Sequence, residues 1–288
     1  MLSSGAVASG VGVYWLFYGG ADRSAAATLR PGLALSQDGR VGGGTDALPR
    51  GVTSTHPHSS SPPHLFHFPP FPPHLNLLIP PSRRRHWARI EGSHHSGAVL
   101  DAGAVGSWDA GGIACARLCV AGPRDLRLFY SSHATGGGSS SIGMALSPDG
   151  LAWRKAGQPV WVGGSEEWEA GGVTAPHVHR TGPDSWLMFY EAMGADGRSS
   201  VGAATSRNGA AWAPAGRVLA PGKDGSWDDG GVGAPCGVPM AGGRWRLYYE
   251  GRRNGAELPQ GLGLAVSQEG AAAAHAQPFS RRVAKTGA

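Results

Sequence analysis

The strongest constraint on this chain is a phrase that occurs three times at nearly constant spacing. It reads Ser107-Trp108-Asp109-Ala110-Gly111-Gly112, Glu167-Trp168-Glu169-Ala170-Gly171-Gly172 and Ser226-Trp227-Asp228-Asp229-Gly230-Gly231. The tryptophans lie 60 and 59 residues apart. Each is followed 22 residues later by the tyrosine that ends an aromatic run: Leu128-Phe129-Tyr130, Met188-Phe189-Tyr190 and Leu247-Tyr248-Tyr249. A serine-led turn comes next, at Ser147-Pro148-Asp149-Gly150, Ser206-Arg207-Asn208-Gly209 and Ser267-Gln268-Glu269-Gly270. A fixed period of this kind marks a repeat architecture, in which one supersecondary unit stacks on its copies.

The unit is built of strands. Leu126, Leu128 and Tyr130 share one face of a period-two pattern, as do Trp186, Met188 and Tyr190, and Trp245, Leu247 and Tyr249. Residues 113–120 and 172–178 read as the preceding strand, and 141–146 and 200–204 as the following one. Trp153 and Trp212 open a fourth after the Asp-Gly or Asn-Gly turn. Amphipathic stretches of helix length are absent. The expected fold is therefore all-β, a β-propeller of four-stranded antiparallel blades.

An earlier unit is visible in part. Tyr14-Trp15-Leu16-Phe17-Tyr18 matches the aromatic strand, Ser36-Gln37-Asp38-Gly39 the turn and Trp87-Ala88-Arg89 the fourth strand, while its Trp phrase would fall before Met1. Tyr18 and Tyr130 are 112 residues apart, 52 more than one period, and most of the surplus lies between Gly39 and Trp87. The expected organisation is a partial first blade over 1–40, an insertion over 41–86, the remaining blades over 87–270 and an irregular tail over 271–288 with no matching fourth strand. From 51 to 85 the chain is dense in Pro, His and Ser and has no acidic residue. Proline fixes φ and removes a donor, so this stretch is expected to be disordered or polyproline-like. It reads as a spacer, a docking segment for a proline-recognising domain, or translated non-coding sequence.

Charge and cysteine usage remove several function classes. The net charge is +5, but residues 41–86 carry a net +3 of it, and no basic stripe remains among the repeats. Nucleic acid is not an expected partner. Cys115 and Cys119 would lie roughly 13 Å apart on one strand, too far to bond, so free buried thiols are expected. Residues 5–19 are apolar enough to mimic the core of a signal peptide, yet 14–18 match the blade strand; there is no membrane-spanning stretch. Gly136-Gly137-Gly138 lacks a following helix and lysine and is no phosphate loop. No cofactor, no membrane partner and a monomer are expected.

The Trp-Asp/Glu-x-Gly-Gly phrase, the Ala175-Pro176 and Ala234-Pro235 steps, the Tyr-ending strand and the Ser-x-Asp-Gly-x-x-Trp turn together resemble the five-bladed propeller glycosidases. These are the arabinanase, levansucrase and invertase superfamily, with glycoside hydrolase families 43 and 32. The resemblance covers roughly 13–39 and 87–270. It implies five blades, of which fewer are visible, so the chain looks like a fragment. It also implies action on, or binding of, plant- or algal-type oligo- or polysaccharide through two carboxyl groups, one protonating the leaving oxygen and one activating water or attacking the sugar. By the resemblance these acids lie beside the Ala-Pro step on inner strands. The chain has Thr174 and His177 there in one blade, Gly233 and Cys236 in the next, and Ala114 and Arg117 in the earlier one. None is acidic.

Two other acidic sets remain: Asp109, Glu169, Asp228 and Asp229 beside the tryptophans, and Glu191 and Glu250 directly after Tyr190 and Tyr249. If the inner strand runs down from its lead-in loop, the next strand returns Glu191 and Glu250 to the same rim. Glu191, Glu250 and Asp109 are therefore the candidate catalytic carboxylates. Trp108, Trp168 and Trp227 are candidate sugar platforms, although a residue required in every blade is also what packing demands. His177, His179 and Arg117 are candidate substrate contacts. The two histidines share a strand face at metal-ligand spacing, but no third ligand is evident and no metal is expected. The alternatives are a non-catalytic propeller that binds carbohydrate or protein, and a truncated gene product.

Overall fold

The computed structural model describes residues 5–8, 14–21, 29–36, 88–90, 92 and 97–281, apart from 165, 257, 258 and 268–278. Within them the chain is all strand, turn and two single 3-10 turns, arranged as four four-stranded units. The first unit is β1 (Gly5–Ala8), β2 (Tyr14–Ala21), β3 (Leu29–Ser36) and β4 (Ala88–Ile90). The second is β5 (Ala114–Gly122), β6 (Asp125–Ser132), β7 (Ser141–Ser147) and β8 (Arg154–Lys155). The third is β9 (Gly172–Gly182), β10 (Ser185–Met193), β11 (Ser199–Ser206) and β12 (Trp212–Leu219). The fourth is β13 (Gly231–Pro239), β14 (Trp245–Arg252), β15 (Gly261–Val266) and β16 (Ser280–Arg281). Each unit is an antiparallel meander, the blade of a propeller.

Register makes the repeat physical. Tyr18 pairs with Gly32, Tyr130 with Gly143, Tyr190 with Gly202 and Tyr249 with Gly263. The glycine is needed because the phrase's tryptophan lies over it. A Cβ at Gly143 would sit 2.5 Å from Tyr130 Cζ and 2.6 Å from Trp108 Cη2, and the distances at Gly202 to Tyr190 and Trp168 are the same. Trp108 stacks on Tyr130 at 5.9 Å, Trp168 on Tyr190 at 6.3 Å and Trp227 on Tyr249 at 5.8 Å. The tyrosine hydroxyl donates to the phrase's own acid: Tyr130 to Asp109 Oδ2, Tyr190 to Glu169 Oε2 and Tyr249 to Asp228 Oδ2. Trp, acid and Tyr thus clasp the lead-in loop to the second strand of its blade. In the second and fourth blades the fourth strand adds a cation, Lys155 on Asp109 and Arg281 on Asp228.

The serine-led turns repeat just as closely. Ser147 Oγ accepts from the N–H groups of Asp149 and Gly150 while Asp149 Oδ1 accepts from those of Leu151 and Ala152. Ser206 and Asn208 reproduce this with Gly209, Ala210 and Ala211. Short polar side chains here satisfy backbone donors that the reversal leaves exposed.

The apolar core lies between blades. Leu33 and Leu128 belong to the cluster between the first two, Phe129, Ile142 and Met188 to the next, and Phe189, Val201 and Leu247 to the last. Adjacent blades also share one parallel pair, Ser140 with Gly172 and Ser199 with Gly231.

Three features depart from the sequence reading. β1 pairs with β2 ahead of the aromatic strand, where no Trp phrase marks it. β16 pairs with β15 inside the stretch that shows no fourth strand; two residues are too few to display a period. Cys119 is buried as expected, but Cys115 is only half-buried and Cys236 is exposed. The expected insertion lies outside the described residues. No described helix is long and apolar enough to cross a membrane.

Candidate functional site

The first strands of the second, third and fourth blades share an irregularity at one level. Cys115, Ala175 and Ala234 have φ of 50°, 49° and 46°, and the pairing with the second strand slips there. A non-glycine residue in the left-handed region costs roughly 1–2 kcal/mol, so the bulge needs support. The preceding blade supplies it. Ser131 Oγ accepts from Ala175 N–H at 2.9 Å, and Glu191 Oε2 accepts from Ala234 N–H at 2.9 Å. Ser131 and Glu191 hold the same register position, opposite Ile142 and Val201.

Glu191 is therefore a blade-to-blade tether. Its other oxygen takes the Arg252 guanidinium at 2.8 Å, and Arg252 also donates to Ser199 Oγ at 3.1 Å. The Glu191 side chain is 7% exposed and that of Arg252 28%. Glu250 stands opposite Gly233 and Leu262, as Glu191 stands opposite Thr174 and Val201. Asp109 is elsewhere, buried in its clasp among Tyr130, Lys155 and Ser107. Of the three platform candidates, each tryptophan has one face on its tyrosine; Trp227 is the most exposed.

One step beyond the bulge, Arg117, His177 and Cys236 pair with Phe129, Phe189 and Tyr248 and so occupy equivalent places on successive inner strands. His177 Nδ1 accepts from Gly237 N–H at 2.8 Å, which puts the ring proton on Nε2. Its ring meets that of His179 at 4.6 Å, and His179 meets Trp245 at 4.9 Å. Burial holds His177 well below the ordinary imidazole range and brings His179 down to about 4. His179 Nε2 is buried with no hydrogen-bond partner among the described residues. Burial raises the Cys115 thiol, and the Glu191 carboxylate adds to that; a hydrogen bond with Thr174 and the charge of Arg117 oppose it. Arg117 also acts on His177 and Cys236.

His177 and His179 meet, Arg117 holds the place equivalent to His177 on the inner strand of the preceding blade, Glu191 is bound to Ala234 and Arg252, and Asp109 lies in a separate structural cluster. Sequence reasoning missed Arg252. The only signal for Arg252 is its place two residues beyond Glu250; its pairing runs to another blade, which spacing cannot show. No group of three or more His, Cys, Asp or Glu side chains among the described residues could hold a metal ion.

The arrangement of blades has counterparts among solved structures. One is a glycoside hydrolase, with a TM-score of 0.54 and 18% identity over 93% of this chain and 66% of that one. A second is a proposed glycosidase from Bacteroides thetaiotaomicron, with a TM-score of 0.60 and 17% identity over 97% of this chain and 71% of that one. The chain has the fold of the β-propeller glycosidases. An N-acetylgalactosamine deacetylase from F. plautii, solved with blood group B trisaccharide, shares it at a TM-score of 0.52 and 19% identity, over 87% of this chain and 62% of that one. This propeller thus spans about two thirds of the length of the structures it resembles. At these identities the likeness to the glycosidase propellers is one of fold. No family model and no curated protein matches the chain.

Proposed function

We propose that this chain is a carbohydrate-binding propeller that keeps the glycosidase fold and binds sugar at the mouth lined by Arg117, His177 and His179. The observation that carries this reading is the engagement of Glu191. Both of its oxygens are held by protein donors, Ala234 N–H and Arg252, and its side chain is buried. A glycosidase acid has to reach the leaving oxygen and give up a proton there. Asp109 is likewise enclosed by Tyr130 and Lys155. The inner-strand positions that would carry acids by family resemblance hold Thr174, His177, Gly233, Cys236, Ala114 and Arg117 instead.

Hydrolysis of a plant- or algal-type saccharide is the second reading. It is favoured by the register, which sets Glu191 and Glu250 at matching positions of adjacent blades, beside the lead-in loops that carry Trp168 and Trp227. Calorimetric titration of the full chain with arabino-, xylo-, fructo- and galacto-oligosaccharides, with product analysis of the same mixtures, decides between them. Binding without product supports the proposal. Product that disappears in Glu191→Gln at unchanged thermal stability establishes hydrolysis instead.

A further inference from the structure

The junction between the third and fourth blades differs from the one before it in the side chains placed along its inner strand. His177 and His179 pair with Phe189 and Leu187 on β10; the same register places on β5, paired with Phe129 and Arg127, hold Arg117 and Cys119. His177 Nδ1 accepts from Gly237 N–H of the fourth blade at 2.8 Å, and the His179 ring meets Trp245 of that blade edge-on at 4.9 Å. The approach is close, since a Cβ at Gly237 would stand 2.5 Å from Phe189 Cε2. Two imidazoles thus belong to the contact that holds β13 on the third blade, alongside the Glu191 bond to Ala234 N–H.

This contact has no place for a proton. On His177 the accepting atom is Nδ1, so protonation turns that acceptor into a second donor facing Gly237 N–H. His179 Nε2 is buried with no partner among the described residues, and an imidazolium needs an acceptor there. The charges acting on His177 are those of His179 and of Arg117 on β5, and both disfavour its protonation. His179 is governed by burial, which the Gly237 backbone partly offsets. Of the other titratable groups on the neighbouring strands, Glu191 is bonded to Ala234 N–H and Arg252, and Arg180 donates to Ala121 O of the second blade. Cys236, next to Gly237 in β13, is exposed on the opposite face of that strand. The junction between the second and third blades lacks such a device. A guanidinium keeps its charge from pH 7.5 to pH 5, and the Cys119 thiol, pushed up to about 11 by burial, stays neutral.

We infer that the contact between the third and fourth blades is an acid-operated joint: proton uptake by His177 and His179 parts the fourth blade from the third and leaves the second and third joined. Acid then uncovers the apolar surfaces that meet here, Phe189 and Val201 on one side and Trp245 and Leu247 on the other. The joint works in this way whatever the propeller binds. In the open state hydrated imidazoles take up protons near 6.5, whereas His179 does so at about 4 when the joint is closed. The histidines' contribution is therefore complete above about pH 6.5 and lost as pH falls toward 4. At pH 5, His179 alone raises the ratio of open to closed about 30-fold over that at pH 7.5, and His177 acts in the same direction.

Amide hydrogen exchange of the full chain, read residue by residue at pH 7.5 and pH 5 and corrected for the intrinsic rate at each, tests the joint. The reporters are N–H groups bonded across each junction: Ala234, Gly237 and Phe279 between the third and fourth blades, Val173 and Ala175 between the second and third. Protection of the first three should fall about 30-fold or more, and that of the other two less than about 3-fold. The double variant His177→Asn with His179→Gln keeps an acceptor for Gly237 N–H, removes both titrating rings and should abolish the difference. Equal loss at both junctions, or no loss at either, would overturn the joint. A loss that persists in the double variant would overturn it as well, by assigning the opening to other groups. If the double variant fails to fold, the natural chain still decides. Proton uptake by the two rings, followed by NMR, must then track the loss at Gly237, and rings that titrate without it refute the joint.

Discussion

Truncating Glu191 separates a tether from a catalyst. In Glu191→Ala, Ala234 N–H loses its acceptor while the residue must still hold φ of 46°, and Arg252 loses the partner at 2.8 Å. Leaving a buried donor unsatisfied costs about 1–3 kcal/mol. Breaking a fully buried ion pair costs about 3–5 kcal/mol, but the Arg252 side chain is 28% exposed and can rehydrate, so the lower part of that range or less applies. The combined loss is about 2–4 kcal/mol, a fall in Tm of roughly 5–12 °C for a chain of this size. Glu191→Ser should recover part of it, because Ser131 already caps Ala175 N–H with a hydroxyl at 2.9 Å. Thermal unfolding of the natural chain, Glu191→Ala, Glu191→Ser, Arg252→Ala and the Glu191/Arg252 double variant gives the losses and, through the cycle, the coupling. An unchanged Tm in Glu191→Ala, or no coupling to Arg252, would refute the tether.

Three further outcomes follow from the geometry. Tyr190→Phe leaves Glu169 Oε2 without the hydroxyl it holds at 2.9 Å and should cost about 1–3 kcal/mol in chemical denaturation, more than the same change at an exposed tyrosine. Gly202→Ala forces a Cβ to 2.5 Å from Tyr190 Cζ and should destabilise by about 1–3 kcal/mol, with loss of near-UV dichroism from the displaced Trp168. Stability should fall on acidification below about pH 6.5, since His177 and His179 are neutral in the fold but take up protons when unfolded. For His179 the loss accumulates between its unfolded value near 6.5 and its folded value of about 4, amounting to roughly 3 kcal/mol. His179→Gln should flatten that part of the pH profile of Tm.

The sequence determined whatever depends on local period and local chemistry. Alternation at Leu126, Leu128 and Tyr130 specifies a strand, the Ser-x-Asp/Asn-Gly turns carry their own hydrogen bonds, and the Trp–Tyr separation of 22 residues already encodes the clasp seen in three blades. Those residues act within one blade, where spacing along the chain is nearly spacing in space. The roles of Glu191 and Ser131 were not legible. Their difference in identity suggests that no fixed chemistry is required there, yet both cap an N–H of the next blade, 43 and 44 residues away. Arg252, 61 residues from Glu191, is hidden for the same reason. Only the tertiary structure decided which acids are tied up between blades and which residues cap the inner-strand bulges at Ala175 and Ala234. A hydrogen bond between blades is fixed by how two sheets pack, and no single blade's sequence contains that information.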